Sequence, residues 1–338
     1  MLGIGVNLTS QARALVPPWL PSGAVFHTNF RDQNYLNGTV YSDLNSLMAS
    51  SDGSFDRASA GLYLSSDGSY VSFDGGEARV DDRGLLIEPA STNLIAESAV
   101  PDQAPWNFTR LAENAGSISP LGVESTRLRR TSTTQSAYTQ QLFSPKIAIG
   151  EDYCLSAIVS AATTGNRLAL RVQSTYPDRS DAVFDLVGGT VVGTGATSHT
   201  DVTASITPLS QGYYLCQIKG TAGGTDIAQV LLGPTDSSRS VVFWEVASNI
   251  LSDVDIAHIQ FETGVSACTS PIITSQVHVT RAADVLTLFP DAGVYNITAT
   301  FDDDSTQTIL NQTITETGWQ IPTNLDRQYI KSLTGRRV

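Results

Sequence analysis

The chain has 338 residues, and its 20 Lys and Arg against 33 Asp and Glu give a formal net charge of −13. That balance argues against a nucleic-acid partner, because phosphate binding needs clustered cations, and the only lysines are Lys146, Lys219 and Lys331. The apolar share of 41% is enough for a full core, and at this length two or three domains are expected rather than one.

No apolar run approaches the ~20 residues that span a bilayer, so membrane insertion is not expected. Ser and Thr make up roughly a fifth of the residues, while charged residues are 16%, the composition of an uncharged polar skin on many short strands. The opening stretch MLGIGVNLTSQARALVPPWLP lacks a basic start followed by an apolar run. It is therefore read as a short arm that lies on another protein and not as a secretory signal.

Residues 1–92 form the first segment. Tyr41 to Ala49 is its one helical stretch, with Leu44, Leu47 and Met48 at helical spacing. Turn dipeptides at Asp52-Gly53, Asp67-Gly68 and Asp74-Gly75 separate short β pieces such as Leu62 to Leu64 and Tyr70 to Phe73, a pattern of small hairpins. The compact run Leu85, Leu86, Ile87 ends at Glu88-Pro89, where proline biases the preceding residue to an extended backbone.

Residues 93–280 carry strands at regular spacing. In Arg167 to Gln173, Leu168, Leu170 and Val172 face one way and Arg167, Arg171 and Gln173 the other, the alternation of a half-buried antiparallel strand. By the same rule Leu155, Ala157 and Val159 share a face, as do Tyr214, Cys216 and Ile218, and Ala257, Ile259 and Phe261. Further strands are expected at Tyr138 to Phe143, Ala182 to Val187, Ile227 to Leu232 and Val241 to Val246. Together they predict an all-β chain with a central jelly-roll sandwich.

Residues 281–338 are read as a small C-terminal β domain. Tyr295 to Phe301 alternates, the acidic turn Asp302-Asp303-Asp304 follows, and Thr306 to Thr315 completes a hairpin. Trp319 and Ile321 are its apolar anchors. A core of this size is too small to stand alone, so docking on a neighbour or oligomerisation is expected.

Three strings together resemble a family. They are FDRASAGLYLSSDG (Phe55 to Gly68) followed by RGLLIEPASTNLI (Arg83 to Ile95), then GYYLCQIKG upstream of IAHIQFETGVSACTSPIITSQVHVTRAAD (Ile256 to Asp284), then YNITATFDDDSTQTI with GWQIP. In this order they resemble virion structural proteins of tailed bacteriophages and prophage-derived particles, of the tail-fibre or head-spike type. Their middle part is similar to jelly-roll carbohydrate-binding modules. The resemblance implies a non-enzymatic component on the virion exterior, on head or tail. Its implied partners are other virion proteins, further copies of itself as a homotrimer, and host surface polysaccharide. It also implies a structural calcium, for which Glu97 and Asp255 occupy comparable places, and no other cofactor. The rival expectations are a polysaccharide-degrading fibre enzyme and a cellular carbohydrate-binding adhesin.

For sugar recognition the candidate aromatics are Trp106, Tyr138, Tyr176 and Trp244, since a ring offers a large apolar face with a polar tip. Trp106 and Tyr176 fall in proline-containing loops and are expected to be exposed. Trp244 is expected in the core, because only one of Phe243 and Trp244 can face inward. Arg127, Arg129 and Arg130 form a candidate cationic cluster for acidic polysaccharide.

Catalysis is not expected. Of His27, His199, His258 and His278, none follows a nucleophile-elbow pattern. His258 is read as a solvated or hydrogen-bonded strand residue beside Gln260 and Glu262. Asp178, Asp181 and Asp185 are the carboxylates a glycosidase reading would use, but their turn setting favours local hydrogen bonding. Cys154, Cys216 and Cys268 are odd in number and far apart, which argues against a disulfide framework and against metal spacing. Cys216 is expected as a buried free thiol, and the parity of Cys154 argues against a bridge between the two.

Overall fold

Two six-stranded antiparallel sheets make the sandwich. The front sheet runs Asn107–Thr109, Tyr138–Ile147, Ile227–Thr235, Arg167–Gln173, Arg179–Asp185, Thr190–Thr197. The back sheet runs Leu111–Ile118, Glu124–Arg130, Asp253–Thr263, Asp152–Ala161, Tyr213–Thr221, Thr200–Pro208. The computed structural model describes residues 17–98 and 104–338; the N-terminal arm lies mostly in residues 1–16, outside the described residues.

The all-β sandwich expected from alternation is present. Leu155, Ala157 and Val159 meet Leu168, Leu170 and Val172 in one core, joined by Cys216, Ile218, Ile259 and Phe261. One parity fails. Register slips where Ile158 faces His258 but Val159 faces Ile256, so Ala257 is a bulge. A bulge shifts which side chains face inward. Val254 and Ile256 therefore enter the core, and Ala257 packs outward with Ile158, Leu209 and Tyr213.

Val241 to Val246 is not a strand. Residues Val241–Phe243 form a short 3-10 turn across the outer face of the front sheet. It can lie so close because Gly195 has no side chain: a Cβ there would sit 2.5 Å from Val242 Cγ1. Trp244 is pressed between Ala169, Val183 and Leu231. This covering explains why Arg171, expected to be half solvated, is buried.

The segments 1–92 and 281–338 share one β unit. Strand Phe26–Asn29 pairs with Tyr329–Arg337 (Phe26 opposite Gly335), and Gly53–Asp56 pairs with Val285–Leu288. Phe26, Tyr35, Leu47 and Leu85 from the first segment share a core with Tyr295, Ile297, Phe301, Trp319 and Ile321 from the last. The physical reason is the one that made a separate C-terminal core doubtful: neither half buries enough alone. The helix Leu44–Ala49 is present and N-capped by Asp43, whose carboxylate accepts the Ser46 N–H at 2.7 Å.

This base docks on the outer face of the back sheet. The hairpin of Gly61–Leu64 and Tyr70–Phe73 places Leu64 and Tyr70 against Ile158, Tyr213 and Ala257. At its tip Gly68 (φ +83°) approaches so closely that a Cβ would lie 2.5 Å from the Ser210 nitrogen. Beside it lies a buried ionic network. Asp284 takes Arg57 Nη1 at 2.9 Å and also pairs with Arg79. Glu88 takes Arg79 Nη2 at 2.7 Å and Arg281 Nη1 at 3.2 Å. Ser270, in the chain leaving the sandwich, donates its N–H and hydroxyl to Glu88, each at 2.7 Å.

A disulfide joins Cys154 to Cys268, with Cα atoms 5.4 Å apart and a sequence separation of 114. The expectation of no bridge fails because sequence distance does not report spatial distance. The outward parity of Cys154, which excludes Cys216, points it at the returning 264–284 segment. Cys216 is buried and free.

Two outcomes follow for stability. The Cys154→Ser/Cys268→Ser variant is expected to lose about 2–4 kcal/mol, read as a lower denaturant midpoint, with non-reducing peptide mass analysis of the native chain showing only the Cys154–Cys268 link. Asp284→Ala leaves three buried guanidinium groups short of an acceptor and is expected to cost about 3–5 kcal/mol, measured by equilibrium urea unfolding; a change below about 1 kcal/mol would contradict a structural role for the network.

Candidate functional site

The exposed rim of the covered front sheet is the best-formed surface on the sandwich. Arg179 starts a strand and is itself buried. Its Nε lies 3.2 Å from Asp181 Oδ2, and its Nη2 donates to the Val242 carbonyl at 2.9 Å. So fixed, its guanidinium carbon stands 5.2 Å from the Tyr176 ring centre and 5.5 Å from that of Phe243. Both distances are within cation–π range. The rings themselves face solvent: Tyr176 is 65% exposed and Phe243 49%.

Beneath the platform the chemistry is closed. Arg171 Nε bonds Asp181 at 2.6 Å and its Nη2 bonds Glu245 at 3.0 Å. The Trp244 indole N–H donates to Asp181 at 2.9 Å. Burial pushes the Asp181 carboxyl up to about 6, against the pull of Arg171. Asp181 is thus a structural acceptor under the turn. Asp178 accepts from Ser198 Oγ at 2.6 Å, and Asp185 accepts from Asn166 Nδ2 at 3.0 Å. No two of the three form a pair across a cleft.

The other expected residues are dispersed. Trp106 is buried, not exposed, because its loop folds back and its indole N–H donates to the Glu97 carbonyl at 2.7 Å. Tyr138 is half-buried against the Trp244 cluster. Trp244 is buried as expected, but beneath the 3-10 turn on the outer face of the front sheet and not through strand parity. The arginine cluster does not exist as a patch. Arg129 is exposed, Arg130 is buried and donates to the carbonyls of Gln135 and Val246 at 3.0 and 2.6 Å, and Arg127 holds Asp255 through Nε at 2.7 Å and Nη2 at 3.1 Å.

That last pair bears on calcium. Asp255 also accepts the Ser117 N–H and hydroxyl, at 3.2 and 3.1 Å, while Glu97 accepts from Gln276 Nε2 at 2.9 Å. A carboxylate already saturated by a guanidinium and a serine does not suit a hard cation, which needs several free oxygens. No group of three metal-ligating side chains occurs among the described residues. Glu97 and Asp255 do not fit a calcium site.

Sequence reasoning missed Phe243 and Arg179. Phe243 lies in a 3-10 turn, where the alternation of a strand does not apply. Arg179 gave no signal, because its position depends on a turn packed over the sheet.

Three histidines are buried. His199 is bonded by Tyr153 Oη at 3.0 Å and Ser174 Oγ at 3.1 Å. His27 pairs with Thr334 Oγ1 at 2.9 Å. His258 lies by Gln260 Oε1 at 3.4 Å, hydrogen-bonded but not solvated, because residues 269–272 cover that face: Gln260 itself accepts the Ile272 N–H at 2.6 Å.

The molecule is thus an all-β protein, a two-sheet sandwich seated on a β base. No family model matches the chain, and no curated protein matches it. Among solved structures it is similar to the CBM22-1–GH10 modules of the Clostridium thermocellum N-terminal endo-1,4-β-D-xylanase 10B, complexed with xylohexaose. That similarity has 10% identity and a TM-score of 0.30, and it covers 55% of this chain and 30% of that one.

The burial of His258 generates a pH prediction. Burial lowers its pKa from 6.5 to about 4. Below pH 6.5 the unfolded chain takes up a proton that the native state refuses, so this contribution is intact above that value and is lost as pH falls toward 4. The loss is expected to reach about 3 kcal/mol at most. Comparing urea unfolding at pH 7 and pH 4.5, His258→Gln is expected to show a smaller acid destabilisation than the native chain; equal slopes would refute this.

Proposed function

We propose that this protein is a non-catalytic structural component displayed on the exterior of a bacteriophage or prophage-derived particle, and that its sandwich attaches to host surface polysaccharide through the Tyr176–Phe243 platform. The observation that carries this reading is topological. Phe26–Asn29 and Tyr329–Arg337 are neighbours in the base sheet. The sandwich is an insertion between two halves of one base, a separate body carried by it. Exposed rings on the inserted body suit stacking on the CH faces of sugar rings. Arg179, held rigid between them, limits the ordering cost of binding.

The resemblance of the three strings to virion proteins supports the particle setting. The disulfide is compatible with it, since such bonds persist in oxidising surroundings including the virion surface. Weak binding per site then gains strength from many copies. The closed hydrogen bonding around Asp178, Asp181 and Asp185 favours binding over cleavage.

The test is retention of purified host-surface polysaccharide on the immobilised protein. Tyr176→Ala/Phe243→Ala is expected to weaken retention about tenfold or more, since each stacked ring is worth about 0.5–1.5 kcal/mol beyond its buried area, with the melting temperature unchanged. Polysaccharide recovered after incubation is expected to keep its length by size exclusion; shortened chains would overturn the non-catalytic reading. Gold-labelled antibody on intact particles is expected to decorate head or tail.

A further inference from the structure

The seam between base and sandwich holds a groove that the platform does not use. Three cavities of about 300, 330 and 180 Å³ follow one another along it. Gln328 lines all three, so they adjoin one another. Gln217 and Cys268 each line two, as do Arg83 and Tyr329. One wall is the outer face of the back sheet, where strands Thr200–Pro208 and Tyr213–Thr221 turn their polar side chains outward. The opposite wall is residues 323–329 of the base. The Cys154–Cys268 disulfide ties the seam segment to the sheet, so the groove is bounded by rigid elements. Domain seams are a preferred place for ligand sites.

The hydrogen-bonding groups along it are partly uncommitted. Gln217 uses its carbonyl to accept the Ser205 hydroxyl at 3.2 Å, which keeps its amide N–H groups for another acceptor. Gln328 uses its amide to donate to the Cys268 carbonyl at 3.4 Å, which keeps its own carbonyl oxygen as an acceptor. Lys219 is exposed at the far end. At the near end the Arg83 guanidinium lies 3.6 Å from the Tyr329 ring centre and pairs with Asp302, making a flat, fixed wall. The trough thus offers donors at Lys219 and Gln217 and an acceptor at Gln328. Its wall is built by the paired strands Thr200–Pro208 and Tyr213–Thr221 through Thr203, Ser205, Gln217 and Lys219.

We infer that this groove is a second saccharide site, which takes an extended oligosaccharide across Lys219, Gln217 and Gln328. It shares only the ligand class with the platform and stands without it. Sugar hydroxyls, each both donor and acceptor, fit the amide donor of Gln217 and the carbonyl acceptor of Gln328, and the ammonium of Lys219 favours a chain bearing carboxylates.

The experiment uses the full chain with two probes, cellohexaose as a neutral chain and hexagalacturonate as an acidic one. Hydrogen–deuterium exchange is expected to show protection in residues 203–219 and 323–329 with both. Hexagalacturonate is expected to bind more tightly. In titration, Gln217→Ala/Lys219→Ala is expected to weaken binding about tenfold, whereas Tyr176→Ala/Phe243→Ala leaves it within about twofold. Absence of protection in both segments with either probe overturns the inference, as does a groove variant that binds like the native chain. Binding lost only in the platform variant also overturns it while supporting the platform; protection in the groove with none at 174–179 and 241–246 has the opposite meaning.

Discussion

The buried network of Arg57, Arg79 and Arg281 with Glu88 and Asp284 is the constraint on which the arrangement of the molecule depends. Its members come from the first segment, from the last, and, through Ser270, from the chain leaving the sandwich. Charges taken out of water are costly unless each is paired and its remaining hydrogens are satisfied. Arg57 also donates to the Ser59 and Asp74 carbonyls, and Arg79 to the Leu62 carbonyl and the Ser270 hydroxyl, while Arg79 Nε and Arg281 Nε stay buried without a partner. A network with so many fixed partners tolerates few alternative placements of the base on the sandwich.

Covering of the sheets then decides where recognition can occur. The outer face of the front sheet is occupied by the Val241–Phe243 turn and Trp244. The outer face of the back sheet is occupied by the base over His258, Gln260 and Glu262, all buried. At the rim Tyr176 and Phe243 stay exposed beside the Arg179 guanidinium, and at the seam the base and back sheet leave a trough lined by Ser205, Gln217 and Gln328.

Local pattern was a good guide wherever one face of a strand packs and the pairing is regular. Arg167–Gln173 was legible to the residue, and so were the inward faces of Asp152–Ala161 and Gly293–Phe301. It failed where geometry is not periodic, at the Ala257 bulge and at the Val241–Phe243 turn, whose β-branched composition reads as strand. The site was less legible than the fold. Tyr176 was found because a proline-bounded loop exposes it, but the same logic misplaced Trp106, whose indole N–H required a buried partner and found the Glu97 carbonyl. The three arginines of 127–130 were close in sequence, yet alternation and a carboxylate at Asp255 sent them to different environments.

What the sequence determined by itself is what short-range physics controls: an all-β chain, the helix at Leu44–Ala49, the core faces of the regular strands and the buried Cys216. Each follows from side-chain period or local backbone preference. What the tertiary structure decided is what depends on residues far apart in the chain. It merged the two end segments into one base, because neither half buries enough apolar surface alone. It joined Cys154 to Cys268 across a sequence separation of 114. It gathered Arg179 with two rings, and Gln217 with Gln328, through packing that no spacing in the sequence encodes.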